Sequence, residues 1–378
     1  MAATYYFKLK NQSGVVVHQS NVWRTLNYTK RVNGLHSVTL QVPYDHPVVP
    51  FYELDSQIEV YRRDAEKGLD WYLDFEGMFR TPVSQLFENG RETFTMYGFG
   101  YNDLLARRGI WYPSGSAFTE KADVAETVMK EFVDENAGPS ANHVDRKGGS
   151  GVTQGLSIEL DLGGGAVWTG ARAYRNLYSV LEEIAQDTNT FFDTVGVGDG
   201  LFMFQFYPNQ RGTDRSTVGL DPTTGLNAAG NAPVVFAAEF GNLLTLAHSV
   251  NRSEEFTVVL ALGQGIEEDR EDFVASDAVA EVASPWNRRE LSYNANQETT
   301  QAGLESVANA QLMARAQKIG FNFTPLFAGA TVLGRDYDWG DVITARYRGD
   351  DFHLGIVSKT VTVDSGGENV AFEVNSVT

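Results

Sequence analysis

The 378 residues contain no cysteine, so a disulfide framework, a thiol nucleophile and a thiolate-metal centre are all unavailable. Histidine is scarce as well. The six present (His18, His36, His46, His143, His248 and His353) form no i, i+4 pair and no His-Glu-x-x-His, which argues against a zinc site. No run approaches the ~18 apolar residues of a membrane-spanning helix. The opening MAATYYFKLKNQSG lacks the basic and apolar regions of a signal peptide. The expectation is a soluble protein, made in the cytoplasm, with no membrane span. Positive charge is also in deficit, with 30 Lys and Arg against 49 Asp and Glu for a net −19. Gripping a phosphate backbone depends on Lys and Arg displacing counterions, so sequence-specific nucleic-acid binding is not expected. The glycine-rich segments 148–155, 163–165 and 196–200 contain no Gly-Lys-Ser/Thr to cradle a phosphate, and there is no Gly-x-Ser-x-Gly elbow.

Aromatic residues and glycine are abundant: 23 Phe, 16 Tyr and 37 Gly tilt the class toward strands joined by many turns. Two stretches carry the same strand pattern. From Ser56 to Gly98, an alternating strand (Ile58, Val60) ends in Tyr61-Arg62 before a charged turn. An aromatic strand then runs from Trp71 to Gly77, a polar turn follows at Asn89-Gly90, and a closing strand holds Phe94 and Met96. Near the C-terminus, Val342 and Thr344 lead to Tyr347-Arg348, then Phe352 to Gly355, a turn at Gly366-Gly367, and Val370, Phe372 and Val374. Meanders with polar turns about every 8 to 12 residues are how small antiparallel barrels are written.

Between these ends the period changes. Thr119 is placed to cap a helix with Glu120 and Asp123 in its first turn and Ala122, Ala125, Val128, Met129 and Phe132 on one face. A second helix is expected over Ala173 to Asp187, burying Leu177, Val180, Leu181 and Ile184. It leads into a hairpin of FFDTV and LFMFQFY with its turn at Asp199-Gly200. Residues 210–232 read as a long polar loop, and a third helix is expected from Thr300 to Ile319, burying Leu304, Val307, Ala308, Leu312 and Ala316. The resulting fold is α+β, mainly β, with two similar antiparallel β-barrels and an α/β middle domain. The first barrel covers 1–112 and the helix-and-hairpin domain 113–233. The second barrel is discontinuous, 234–264 and 320–378, and a helical excursion at 265–319 packs on the middle domain.

Few residues gather as chemistry would require. Asp336, Asp338 and Asp341 have a spacing compatible with calcium, but without a twelve-residue loop and terminal Glu they read as a polar turn before a strand. The acidic run Glu267 to Asp272 reads as a solvated loop. For glycoside hydrolysis the first candidates are Glu239, Asp193 and Asp199, a pair of which would have to lie ~5 to 9 Å apart. A structural role is the expectation for each. No catalytic, cofactor or metal residue is assigned. The aromatic row Trp71, Tyr72, Phe75, Phe79, Phe202, Phe204, Phe206 and Tyr207 is expected to give a core face, with any exposed members forming an interface or stacking on sugars.

The segments EGMFRTPVSQ (76–85), YGFGYNDLLARRGI (97–110) and GRDYDWGDVITARY (334–347), in this order of domains, resemble the baseplate or tail-tip hub proteins of long-tailed bacteriophages, including a hub-like siphophage family. The resemblance covers essentially the whole chain. It implies a non-enzymatic structural protein of the virion, assembled in the host cytoplasm. Such a protein forms a homotrimer whose two barrels per subunit make a pseudo-sixfold ring. Its implied partners are the tail tube or distal tail protein ring above, and a central spike, fibre or tape-measure protein below. No cofactor is implied. Three copies triple the −19 charge, and an acidic lumen would let DNA pass without adsorbing it. Some hub relatives carry a fused lysozyme-like or peptidase domain, whereas this chain is expected to end with its second barrel. The alternative is a glycan-binding or glycan-hydrolysing tail protein; the hub of a phage-derived injection device shares the same physics.

Overall fold

A computed structural model describes residues 3–376 apart from 113–114, 116, 266–268, 299 and 326–330. Two of the acidic-run residues, Glu267 and Glu268, therefore lie outside the described residues. The chain divides into two units, Met1–Leu246 with Asn322–Thr378, and Ala247–Phe321.

The larger unit begins with β1 (Thr4–Lys10), β2 (Val16–Ser20), β3 (Thr25–Arg31), β4 (Ser37–Pro43), β5 (Gln57–Asp64), β6 (Leu69–Leu86) and β7 (Glu92–Phe99). A short α1 (Asp103–Ala106) leads to β8 (Thr119–Val124), α2 (Ala125–Asn136), β9 (Leu156–Ile158), β10 (Val167–Arg172) and α3 (Leu177–Thr188), then to the hairpin of β11 (Phe191–Gly198) and β12 (Leu201–Tyr207). After β13 (Val235–Ala237) comes β14 (Leu243–Asn251). The smaller unit contributes β15 (Val258–Leu262), β16 (Asp272–Ser276), α4 (Ala278–Glu281), β17 (Glu290–Asn294) and α5 (Gln301–Ala314). The chain closes through β18 (Lys318–Pro325), β19 (Val342–Tyr347), β20 (Asp350–Asp364) and β21 (Gly367–Ser376).

Alternation places the strands. In β1, Tyr5, Phe7 and Leu9 are buried while their neighbours are not, and β4 repeats the pattern with Val38, Leu40 and Val42. The two predicted meanders form with matching topology: β5–β6–β7 and β19–β20–β21 are each antiparallel, around a long central strand. Both central strands carry a bulge, the pairing with the closing strand skipping Arg80 in β6 and Val357 in β20. Two residues before those bulges, Met78 faces Gln57 and Gly355 faces Val342. The equivalence therefore runs Gln57 to Val342, and the match drawn from the two Tyr-Arg pairs is one residue out of step.

The ends do not make two separate closed barrels. Among the described residues, thirteen strands form one sheet in the order β14-β18-β21-β20-β3-β4-β7-β6-β5-β1-β2, with β19 attached beside β20 and β13 beside β19. The reason is the length of β20. β19 occupies only its first half, from Asp350 to Gly355, and the remaining edge at Ser358–Val363 is satisfied by Arg31–Leu26 of β3. A second correction concerns β15, expected in the second barrel. It pairs instead with β16 and β17 in a small three-stranded sheet. Val258, Val259 and Ala261 are all buried there, and α5 lays Leu304 and Ala308 over the sheet. The helix expected from Thr300 to Ile319 forms over Gln301–Ala314, capped by Thr300, which accepts from Gly303 N–H at 3.1 Å, and Lys318 onward is strand instead.

Thr119 does not cap a helix. Residues 119–124 pair with β10, and α2 starts only at Ala125. The stop comes from backbone pairing, which the helical spacing of Ala122 cannot outweigh. α2 and α3 pack with β9, β11 and β12 around Phe132, Leu181, Phe192 and Phe204. The Asp199-Gly200 turn forms as predicted, both residues having positive φ. The β1–β2 turn rests directly on it: a Cβ on Gly14 (φ +78°) would stand 2.1 Å from Gly200 N.

Candidate functional site

Buried charged side chains of the larger unit meet at the seam between its N-terminal and C-terminal strands. Asp74 is an extra residue in β6, inserted between the pairs Val60–Phe75 and Tyr61–Leu73. Because of that bulge both Asp74 and its neighbour Phe75 point inward, each 1% exposed. Lys359 of β20 meets it, its Nζ donating to Asp74 Oδ1 at 2.5 Å and to Asp338 Oδ1 at 2.6 Å. Lys30 stands opposite Lys359 in the β3–β20 pairing, donates to the Asp74 carbonyl at 3.0 Å and lies 4.7 Å from the Trp339 ring centre. The Tyr28 hydroxyl also donates to the Asp74 carboxylate.

Burial opposes the charge on Lys359, yet Asp338 and Asp74 outweigh it and hold the ammonium above the ordinary lysine range. Burial likewise pushes Asp74 up, but Lys359 and Lys30 win and its carboxyl is depressed. Lys30 has no carboxylate contact as close; burial and the Lys359 charge bring it down to about 8. A second stitch lies nearby. Arg62 of β5 donates to Glu368 of β21 at 2.8 Å, and the Tyr5 hydroxyl reaches the same carboxylate.

Beside this seam is a cavity of about 170 Å³ lined by Lys30, His36, Asp74, Glu76, Tyr101, Asp193, Arg211 and Trp339, among others. It holds a few waters' worth of space, well short of the ~300 Å³ at which ligand pockets begin. Glu76 accepts from Gly196 N–H at 2.6 Å, tying β6 to β11, and burial pushes its carboxyl up to about 7. His36 is brought down to about 4 by burial.

The acidic trio is used up internally. Asp336 accepts from Val332 N–H at 2.7 Å and pairs with Arg335, Asp338 holds Lys359, and Asp341 accepts from Thr213 N–H at 2.6 Å and Asp338 N–H at 2.8 Å. The turn itself is closed by Asp341 N–H to the Asp338 carbonyl. Among the described residues, no group of three or more His, Asp or Glu is placed to hold a metal. Of the three carboxylate candidates, Asp193 and Asp199 stand too far apart to form a pair. Asp193 is bound to Arg211 at 3.2 Å, and Asp199 sits in the hairpin turn six residues along, about 20 Å at strand rise. Glu239 is exposed on a single helical turn after β13.

Of the aromatic row, Phe75, Phe79, Phe202, Phe204 and Phe206 are core. Trp71 is exposed, packing edge-on against Tyr6 at 4.7 Å, and Tyr6 in turn stacks flat on Tyr61. Sequence reasoning missed Asp74, Lys359, Arg62 and Glu368. A charged residue in an apolar alternation was the one signal available, and Lys359 in IVSKTVTV carries it.

With this seam described, the chain can be set beside known proteins. The family model described as Siphovirus ReqiPepy6 Gp37-like protein matches residues 7–372. The chain belongs to that siphovirus Gp37-like family. The fold of this Gp37-like protein is shared with a tail protein from Neisseria meningitidis MC58 (TM-score 0.61, 10% identity, 100% of this chain and 97% of that one). It is shared too with the 43 kDa tail protein of prophage MuSo2 from Shewanella oneidensis (0.61, 12%, 99% and 98%). The prophage tail protein gp18 from Listeria monocytogenes EGD-e is a third (0.55, 9%, 99% and 94%). No curated protein sequence matches the Gp37-like chain.

Proposed function

We propose that this Gp37-like protein is the structural hub of a phage tail tip or baseplate. It closes as a homotrimer into a pseudo-sixfold ring, joins the tail tube or distal tail protein ring to a central spike, fibre or tape-measure protein, and lets DNA through its lumen. The virion is its place of work, after assembly in the host cytoplasm.

The observation that carries this reading is the repeat within one sheet: two meanders of matching topology, each with a bulged central strand, in a single subunit. Three such subunits in a closed ring present six similar modules, so one face meets a sixfold tube and the other a threefold spike. The buried Lys359–Asp74 and Arg62–Glu368 pairs tie strands of the first meander to strands of the second within the subunit, which supports a joint between the two modules. A net charge of −19 per chain favours a lumen that repels DNA.

The test is the mass of the particle in solution. Light scattering should give three times the 41.7 kDa subunit; a particle that stays monomeric at every concentration and in the presence of its tail neighbours rules the hub out. The alternative, a glycan-binding or glycan-hydrolysing tail protein, draws support from the exposed Trp71 beside Tyr6. A glycan array comparing the protein with Trp71→Ala, and a wall-degradation assay with Glu239→Gln, decide it: binding or cleavage abolished by either substitution favours the glycan reading.

A further inference from the structure

The registers of the two meanders place Thr81–Leu86 of β6 where Ser358–Val363 lies in β20. In β20 that half-strand is paired on both edges, with β21 on one side and β3 on the other. In β6 it is paired with β7 alone, because β5 reaches no further than Met78. Burial records the difference: Val361 is fully buried in β20, whereas Thr81–Leu86 is exposed along its whole length.

The open edge is able to form a ladder. Phe87 N–H donates to the Arg91 carbonyl at 2.8 Å, so Phe87 faces β7. By strand alternation, Pro82, Ser84 and Leu86 turn their main-chain groups the other way. Pro82 is then at a position where a strand tolerates proline, since no pairing within the subunit needs its N–H. Ser84 and Leu86 each present a donor and an acceptor.

A matching edge exists at the far end of the sheet. β3 lies beside β4 and β4 beside β7; β14 lies beside β18 and β18 beside β21. β14 thus holds, next to the second meander, the place β3 holds next to the first, and it ends the sheet. Neither Thr81–Leu86 nor Leu243–Leu246 contains a charged residue, in a chain with 49 acidic and 30 basic ones. Exposed edges are commonly guarded by charge or proline; Leu243–Leu246 carries neither, and Thr81–Leu86 carries Pro82 alone.

The geometry points to an intersubunit joint in which Leu243–Leu246 of a second copy adds antiparallel to Thr81–Leu86, repeating between chains the β3–β20 joint found within one. This rests on the hub reading and supplies its interface. Each subunit offers one edge of each kind, so the contact is head-to-tail, and three copies close it with three joints inside chains and three between them.

The absence of native cysteine makes the test direct. In the full chain, Thr245→Cys is combined in turn with Pro82→Cys, Ser84→Cys and Leu86→Cys. Cross-strand neighbours lie ~4.5–5.5 Å apart, within disulfide reach. Mild oxidation should give, in at least one combination, covalent species up to three chains that return to one on reduction. Ser84→Pro removes an N–H that the subunit does not use; it should raise the concentration needed for trimer at least tenfold without lowering the melting temperature of the monomer. Val16→Cys with Thr245→Cys probes the other open edge, at β2. A trimer that cross-links through Val16, or through none of these pairs, and that tolerates Ser84→Pro overturns the joint but leaves the hub reading standing. A monomer under all conditions removes both.

Discussion

Lys359 donates to Asp74 at 2.5 Å across 285 positions of sequence, and both side chains are fully buried. The pair joins the central strands of the two meanders, so whatever holds it also holds the subunit's two halves in register.

Removing the cation should be costly. Lys359→Met leaves Asp74 buried beside Lys30 without its main partner and strips Asp338 of its contact. Breaking one side of a buried pair typically costs ~3–5 kcal/mol. Urea unfolding should show that loss at unchanged slope, and the double variant Lys359→Met, Asp74→Leu should recover part of it. A Lys359→Met protein as stable as the parent would mean the seam contributes nothing.

Acidity should act on the cavity in two opposing ways. Glu76, raised to about 7, binds its proton more tightly when folded, so its contribution is present at low pH and fades as pH rises from the ordinary glutamate range through 7. His36, lowered to about 4, binds its proton less tightly when folded and destabilises as pH falls below about 6.5. Between about pH 4.5 and 6.5 the two slopes oppose each other. Glu76→Gln keeps an acceptor for Gly196 N–H and removes one slope. Relative to the parent, the variant should lose stability on acidification by up to ~1.4 kcal/mol per pH unit. Thermal melts at pH 5, 6 and 7 measure this directly.

The contact between the β1–β2 turn and the β11–β12 turn has no room for a side chain. Gly14→Ala would set a Cβ 2.1 Å from Gly200 N at a φ of +78°. Strain and displacement together should cost roughly 2 kcal/mol or more. The expected readout is a lower melting temperature with raised protease sensitivity in the two turns. Gly68→Ala, with the same sign of φ and open space around it, should cost only the smaller backbone penalty.

Gly98 marks a close approach of β7 to β6, where a Cβ would stand 2.3 Å from the Met78 carbonyl oxygen. Gly98→Ala should push these strands apart at the β6 bulge and destabilise by ~1–3 kcal/mol, seen as faster amide exchange in Thr95–Phe99. Unchanged exchange there would show that the bulge absorbs the strain.

What the sequence determined alone is local. Alternation in TYYFKLK and SVTLQVP names the buried faces, Thr300 and the 3.6-residue spacing of Leu304 and Ala308 announce α5, and Asp199-Gly200 announces its hairpin. Each follows from interactions within a few residues, and the repeat of the meander was legible for the same reason. The tertiary structure alone decided the partners: β3 rather than a barrel closure for the second half of β20, β16 and β17 for β15, and β10 for residues 119–124. Period-two alternation tells which side of a strand is apolar but not which strand lies beside it. That choice is made by main-chain groups that are alike at every residue. The bulge that turns Asp74 inward to Lys359 is decided at the same level, by the register between β5 and β6.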